Sequence, residues 1–123
     1  MPVRSLHSSV LKWPDTATVD RAAREWARSM AETRPQVLRV GYFGSYARGD
    51  WGVGSDLDIV VIVTHAVLPA VIRARDWDTS GLPVPADVLV YTPKELEELP
   101  SHRLRAELET NTVWVFQRMP GAP

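Results

Sequence analysis

Residues 44–58 read GSYARGDWGVGSDLD and lead directly into the apolar run Ile59–Val63. Another apolar segment, Val37–Phe43, precedes them, so the pattern predicts a strand, a glycine-punctuated loop and a second strand. Side chains two positions apart on a strand point to the same face, about 7 Å apart along the chain. Asp56 and Asp58 are therefore expected to converge on one cation. Because hard oxygen ligands favour Mg²⁺ or a similar ion, the pattern predicts a metal site.

The glycine–serine pair that opens this loop has a physical reason of its own. Gly44 lets the backbone approach a bulky phosphate closely, and backbone N–H groups at a turn into a helix attract an anion. Ser45 adds a hydroxyl donor, and Arg48 lies near enough in sequence to bind a phosphate as well. Ser55, just before the two aspartates, is an outer candidate. The loop therefore predicts a phosphate-binding turn beside the metal.

The order and spacing of these residues resemble a known signature. Gly44-Ser45, ten intervening residues and then Asp56-x-Asp58 is similar to the motif of the nucleotidyltransferase superfamily related to DNA polymerase beta. The short form, GSYARGD leading into SDLDI, resembles the minimal nucleotidyltransferases (MNT proteins). A third acidic residue stands on a later strand in that family, and Asp87 at the start of the segment DVLVY fits it. The resemblance covers roughly residues 37–116.

The resemblance implies an enzyme that moves a nucleoside monophosphate from a nucleoside triphosphate, with ATP favoured, to a hydroxyl group. Asp56 and Asp58 would bridge two Mg²⁺ ions. Asp87 would hold the catalytic ion and accept the proton of the attacking hydroxyl. In such a reaction charge builds on the phosphate oxygens, so positioning and electrostatic stabilisation dominate. The three aspartates are thus the expected catalytic and metal-binding residues.

The resemblance also implies a partner. Minimal nucleotidyltransferases pair with small helical HEPN proteins in toxin–antitoxin systems, where the transferase modifies the toxin, commonly on a tyrosine hydroxyl. This chain is accordingly expected to be the antitoxin of such a pair, with a homo- or hetero-oligomer compatible with the sequence. Two alternatives stay open: an antitoxin that acts by binding alone with a vestigial metal site, and a nucleotidyltransferase for a small molecule of the aminoglycoside type.

Composition limits the remaining possibilities. A length of 123 residues predicts a single domain, 1–123, with an irregular lead-in at 1–14 and a tail at 119–123. No stretch approaches the ~18 consecutive apolar residues of a membrane span. The absence of cysteine excludes disulfides and thiolate zinc sites, and we expect a cytoplasmic protein. Residues 1–48 carry a net charge of +4 and residues 49–123 a net −5, which is not the dense basic stripe of a nucleic-acid binder.

Hydrophobic periodicity predicts an α+β fold of the α/β type, with about four strands flanked by helices. The resemblance implies that the strands form a small mixed sheet, as in the polymerase beta-like nucleotidyltransferase core. A first helix is expected from a cap at Asp15 or Thr16 to a stop at Pro35. The predicted strands and later helices follow from apolar runs and turn formers. The strands are 37–43, 56–64, 86–91 and 112–116; the helices are 46–48, 67–77, one starting at Thr92-Pro93, and 102–109.

Several residues admit a plainer interpretation. Asp56 could cap the loop after Gly54, although that leaves Asp58, which enters a buried strand, without a role. Asp87 could be a strand-edge residue, and an exposed loop arginine such as Arg48 is often only solvated. Tyr46 and Trp51 either line the nucleotide pocket or serve the hydrophobic packing of the loop. These alternatives can be separated only by three-dimensional placement.

Overall fold

The computed structural model describes residues 13–118, and along that length it confirms the predicted alternation of helices and strands. The strands are β1 (Val37–Phe43), β2 (Leu57–Val63), β3 (Ala86–Tyr91) and β4 (Val113–Gln117). The helices are α1 (Thr16–Thr33), α2 (Ser45–Arg48), α3 (Ala70–Arg73), α4 (Pro93–Glu97) and α5 (His102–Asn111), with a 3-10 turn at Ala74–Asp76. The observed fold is the expected α+β arrangement. The predicted lead-in and tail lie outside these residues, except for Trp13 and Pro14, which have no regular structure.

The four strands form one mixed sheet in the order β3-β2-β1-β4. Strand β1 is antiparallel to both β2 and β4, whereas β2 and β3 run parallel. The end of β1 and the starts of the other three strands consequently lie at the same edge of the sheet. Strand β2 is central and its residues are buried except Asp58, as the uninterrupted apolar run predicts. This edge, which contains the glycine-rich loop, is where the functional candidates meet.

Helix α1 covers one face of the sheet. Asp15 caps it by accepting a hydrogen bond from the Thr18 amide at 2.9 Å, and the helix stops before Pro35. Its buried residues recur at helical spacing and pack in the same core cluster as Val40 and Tyr42 of β1. The Tyr42 hydroxyl donates to Asp20 on α1 at 2.8 Å, so a polar bond fixes the position of the helix as well. The buried stripe comprises Val19, Ala23, Trp26, Ala27 and Ala31.

Helices α4 and α5 cover the opposite face. Leu108 of α5 is fully buried with Val60 and Ile62 of β2, and Leu96 of α4 packs against the same cluster. Helix α4 begins with the predicted Thr92-Pro93 start, and Thr92 forms a capping box with Glu95. The helices therefore cover both faces of the sheet.

The predicted second helix, residues 67–77, is wrong in extent. The structure has only α3, one turn that starts after Pro69, followed by the 3-10 turn. Proline disfavours a helical conformation in the residue before it, so a helix cannot run through Leu68. Val67 and Val71 are 94% and 90% exposed, which shows that the apolar residues of this segment do not form a core stripe.

Arg73 of α3 fastens this segment to the sheet. It is buried, and its guanidinium donates to the carboxylate of Glu95 at 2.7 and 3.0 Å and to the backbone carbonyls of Leu68 and Val90. A buried charge needs such a full set of partners. The hydrogen bonds from Arg73, together with the Thr92 amide, lower the pKa of Glu95 to about 2. In residues 13–118, no helix combines the length and apolar character needed to cross a membrane.

Candidate active site

Strand register brings two of the predicted aspartates together. Asp58 is the second residue of β2 and pairs with Asp87, the second residue of the parallel strand β3. Partners in neighbouring strands lie about 5 Å apart and point to the same face. On its other side Asp58 pairs with Phe43, the last residue of β1, immediately before the glycine–serine turn. The fold therefore places the third acidic candidate, 29 residues later in the chain, beside the second.

Gly44 is required where it stands, for two reasons. Its backbone has φ +75° and ψ −151°, a conformation that residues other than glycine rarely adopt. A Cβ at this position would also collide with Oδ2 of Asp58. The main chain at the turn therefore passes against the carboxylate, and α2 begins at the next residue, Ser45. The predicted phosphate turn and the predicted metal ligand are thus in direct contact.

The charge of Asp58 is poorly compensated by the protein. The side chain is half-buried, and this burial raises the pKa of Asp58 above its ordinary value. The negative charges of Asp87 and Asp56 raise it further, while Arg48 acts in the opposite direction with a smaller effect. A group of carboxylates that disfavour one another's ionisation is stabilised by a cation placed between them. The electrostatics of this edge therefore favour a positively charged ligand.

Asp56 differs in placement from the other two. It lies in the loop just before β2 rather than on the strand, and both Asp56 and Asp87 are exposed. Among residues 13–118, no three carboxylate or imidazole side chains stand close enough together to form a preassembled metal cluster. The donor set still fits Mg²⁺, because it consists of carboxylate oxygens whose mutual repulsion is visible at Asp58.

A groove opens beside the aspartates. Its volume is about 530 Å³, and it is lined by Asp58 and Asp87 together with apolar and small side chains, among them Phe43, Trp77, Thr79 and Leu89. Pockets of this size accept small-molecule ligands. The exposed carboxylate of Asp87 is therefore accessible to a substrate from this side.

The basic and hydroxyl candidates are placed around the loop. Arg48, which is exposed, donates to Asp50 at 3.1 Å and to Glu107 of α5, so its guanidinium is already paired. The Ser55 hydroxyl accepts a hydrogen bond from the Gly52 amide at 2.8 Å and so helps to close the loop. Ser45 occupies the first turn of α2 beside Gly44. The roles expected of Arg48, Ser45 and Ser55 in binding phosphate remain predictions.

Tyr46 and Trp51 pack against each other. Their rings are stacked with centroids 5.3 Å apart and an interplanar angle of 11°. Tyr46 is buried in the core and its hydroxyl donates to the Pro14 carbonyl at 3.1 Å. The pair therefore supports the loop by packing. Of the two alternatives that the sequence left open for Tyr46, the structure shows packing rather than lining of the nucleotide pocket.

Sequence reasoning missed Glu107. It lies on α5, is separated from Arg48 by 59 positions, and holds Arg48 through one carboxylate oxygen while the other accepts from Asn111 at 2.8 Å. The Asn111 hydrogen bond and the Arg48 charge lower the pKa of Glu107. Its negative charge also contributes to the raised pKa of Asp58. The helical spacing of Glu107 and Asn111 was visible in the sequence, but nothing in it placed α5 beside the loop.

Comparison with known proteins agrees with this arrangement. A family model described as the nucleotidyltransferase domain matches residues 24–115, which is most of the chain. None of the curated proteins matches the sequence.

Solved structures share the fold. A candidate nucleotidyltransferase from Sulfolobus solfataricus superposes with a TM-score of 0.63 at 21% identity, over 88% of each chain. A toxin–antitoxin structure with AMP-PNP gives a TM-score of 0.57 at 21% identity, covering 78% of this chain and 74% of that one. A mutant of the toxin–antitoxin complex MntA-HpeT gives 0.55 at 18% identity with the same coverage. These similarities concern the fold.

Proposed function

This chain belongs to the nucleotidyltransferase domain family, and from that premise we propose that it transfers a nucleoside monophosphate from ATP to a hydroxyl group of a partner protein. The observation that carries the proposal is the direct register of Asp58 with Asp87, next to the Gly44 turn and open to a groove. That geometry joins an acidic pair to a backbone turn suited to phosphate. Both parts are needed for nucleotidyl transfer.

Each residue of the site has a proposed role in the reaction. Asp56, Asp58 and Asp87 would hold Mg²⁺, which when bound supplies charge neutralisation at the phosphate oxygens. The Gly44-Ser45 turn would receive the triphosphate through backbone N–H groups and the serine hydroxyl. Asp87, whose exposed side chain lines the groove, would accept the proton of the acceptor hydroxyl.

The proposed acceptor is a toxin. Two of the structural neighbours are components of toxin–antitoxin complexes, and one of these structures includes AMP-PNP, an ATP analogue. We propose by this analogy that the chain is a cytoplasmic antitoxin of a single domain and that its partner is a small helical protein of the HEPN type. The groove beside Asp87 is open to solvent, so a tyrosine on the surface of a protein could enter it.

Intact-mass spectrometry tests the transfer. The protein is incubated with the product of the adjacent gene, ATP and Mg²⁺, in the wild type, in Asp58→Asn and in the matched control Glu109→Gln. Glu109 is an exposed acid on α5. We expect the partner to gain one or more adenylyl groups with the wild type and with Glu109→Gln, and none with Asp58→Asn. A stable complex that shows no gain with any of the four nucleotides would favour an antitoxin that acts by binding alone.

A further inference from the structure

The phosphate turn already has an anion beside it. Glu107 of α5 contacts the Arg48 guanidinium, and its second oxygen is held by Asn111 at 2.8 Å. The Gly44 backbone also contributes to lowering the pKa of Glu107, after the larger effects of Asn111 and Arg48. The carboxylate therefore contacts Arg48, which is expected to receive a triphosphate, and the pKa of Glu107 responds to the backbone of the neighbouring Gly44 turn.

This arrangement changes the charge of the turn. Arg48 donates to Asp50 as well as to Glu107, so one guanidinium faces two carboxylates. An incoming triphosphate either displaces Glu107 from Arg48 or binds against the electrostatic repulsion of the Glu107 carboxylate. Because bound Mg²⁺ cancels two of the triphosphate's negative charges, the repulsion is weaker for the metal-loaded form.

We propose that Glu107 is a specificity-determining residue that occupies the phosphate's place on Arg48 and thereby favours metal-loaded over metal-free triphosphate. The proposal rests on the proposed function of the same site. It gives α5 a role beyond packing, since Leu108 of that helix is buried against the sheet while its neighbour Glu107 reaches the loop. Release of Glu107 accompanies nucleotide binding.

Titration calorimetry measures this selectivity. ATP and inorganic triphosphate are each titrated into the wild type, Glu107→Gln and Glu109→Gln. Each titration is done once in the presence of Mg²⁺ and once with EDTA, which keeps the ligand metal-free. Glutamine keeps the size of the side chain and an oxygen acceptor for Asn111, and Glu109 provides the same charge change on the same helix at an exposed position. We expect Glu107→Gln to bind both metal-free ligands about 2- to 5-fold tighter, as for an exposed charge pair. Binding with Mg²⁺ should change less, and Glu109→Gln should match the wild type.

A second comparison tests the route through Arg48. In an Arg48→Ala background, Glu107→Gln should give a smaller gain, because no guanidinium remains to be released. Unchanged or weaker binding of the metal-free ligands by Glu107→Gln overturns the inference, and so does an equal gain in Glu109→Gln or a lack of triphosphate binding by every variant. Tighter triphosphate binding without any nucleotidyl transfer to the partner would instead contradict only the proposed function.

Discussion

Replacement of Gly44 by alanine tests the geometry of the turn. Its effect on activity can be compared with its effect on the stability of the fold. The glycine has φ +75° and ψ −151°, and residues forced into such backbone regions cost about 1–3 kcal/mol each. The new Cβ would also strike Oδ2 of Asp58, so the carboxylate must turn away or the loop must shift. Together these effects predict a loss of roughly 2–4 kcal/mol in the free energy of unfolding. For a chain of this size that corresponds to a fall in Tm of about 8–15 °C.

The activity of Gly44→Ala should fall by more than its loss of stability explains. Displacement of a reacting group by about 1 Å can cost ~10²-fold in rate, so we expect at least that loss at a temperature where the variant is folded. Circular dichroism melts give the stability, and the initial rate of adenylyl transfer gives the activity.

Gly49→Ala is the matched control for this prediction. Gly49 also has a positive φ, +88°, but a Cβ there meets nothing within 4 Å. Its replacement should cost about 1–2 kcal/mol of backbone strain and leave activity close to that of the wild type. Full activity in Gly44→Ala, or an equal loss in Gly49→Ala, would refute the argument that contact with Asp58 makes the glycine necessary.

Three further predictions concern stability, each measured by chemical denaturation. Asp58→Asn should unfold no more easily at pH 7 than the wild type, since burial raises the pKa of Asp58 and its charge therefore opposes folding above that pKa; a loss above about 1 kcal/mol would contradict this. Glu95→Gln should cost roughly 1–2 kcal/mol at neutral pH, because it removes the charged partner of buried Arg73. The Glu95 carboxylate stabilises the fold fully above about pH 4.5, and this contribution is lost as the pH falls towards 2. The free energies of unfolding of the wild type and Glu95→Gln should therefore converge near pH 2. A difference that stays constant with pH would argue against the ion pair. Tyr42→Phe should cost about 1 kcal/mol through loss of the hydrogen bond to Asp20, and an Asp20→Asn background should reduce that cost.

Local sequence signals predicted most of the fold. The limits of β1 and β3 agree with the structure because proline, glycine or a turn bounds each apolar run. The start of α4 followed from Thr92-Pro93, whose capping box satisfies the backbone groups at the helix start. Such features depend only on residues within one turn of each other, and are therefore visible in the chain itself.

Features that depend on distant residues were not predictable. The helix expected at residues 67–77 relied on apolar spacing, but Val67 and Val71 face solvent and Arg73 anchors the segment to Glu95 instead. The contact between Arg48 and Glu107 spans 59 positions, and no periodicity indicates which face of α5 meets the loop. At the site itself, the motif predicted which aspartates belong together, whereas the exposure of Asp56 outside β2 required the structure.

The most direct test of the central proposal is to follow the label of ATP that carries ³²P either at the α- or at the γ-phosphate. We predict that the wild type, with its partner and Mg²⁺, transfers the α-label to the partner and releases the γ-label as pyrophosphate, and that Asp58→Asn and Asp87→Asn do neither. Transfer of the γ-label to the partner, or α-label transfer that survives in both variants, would contradict nucleotidyl transfer at this acidic edge.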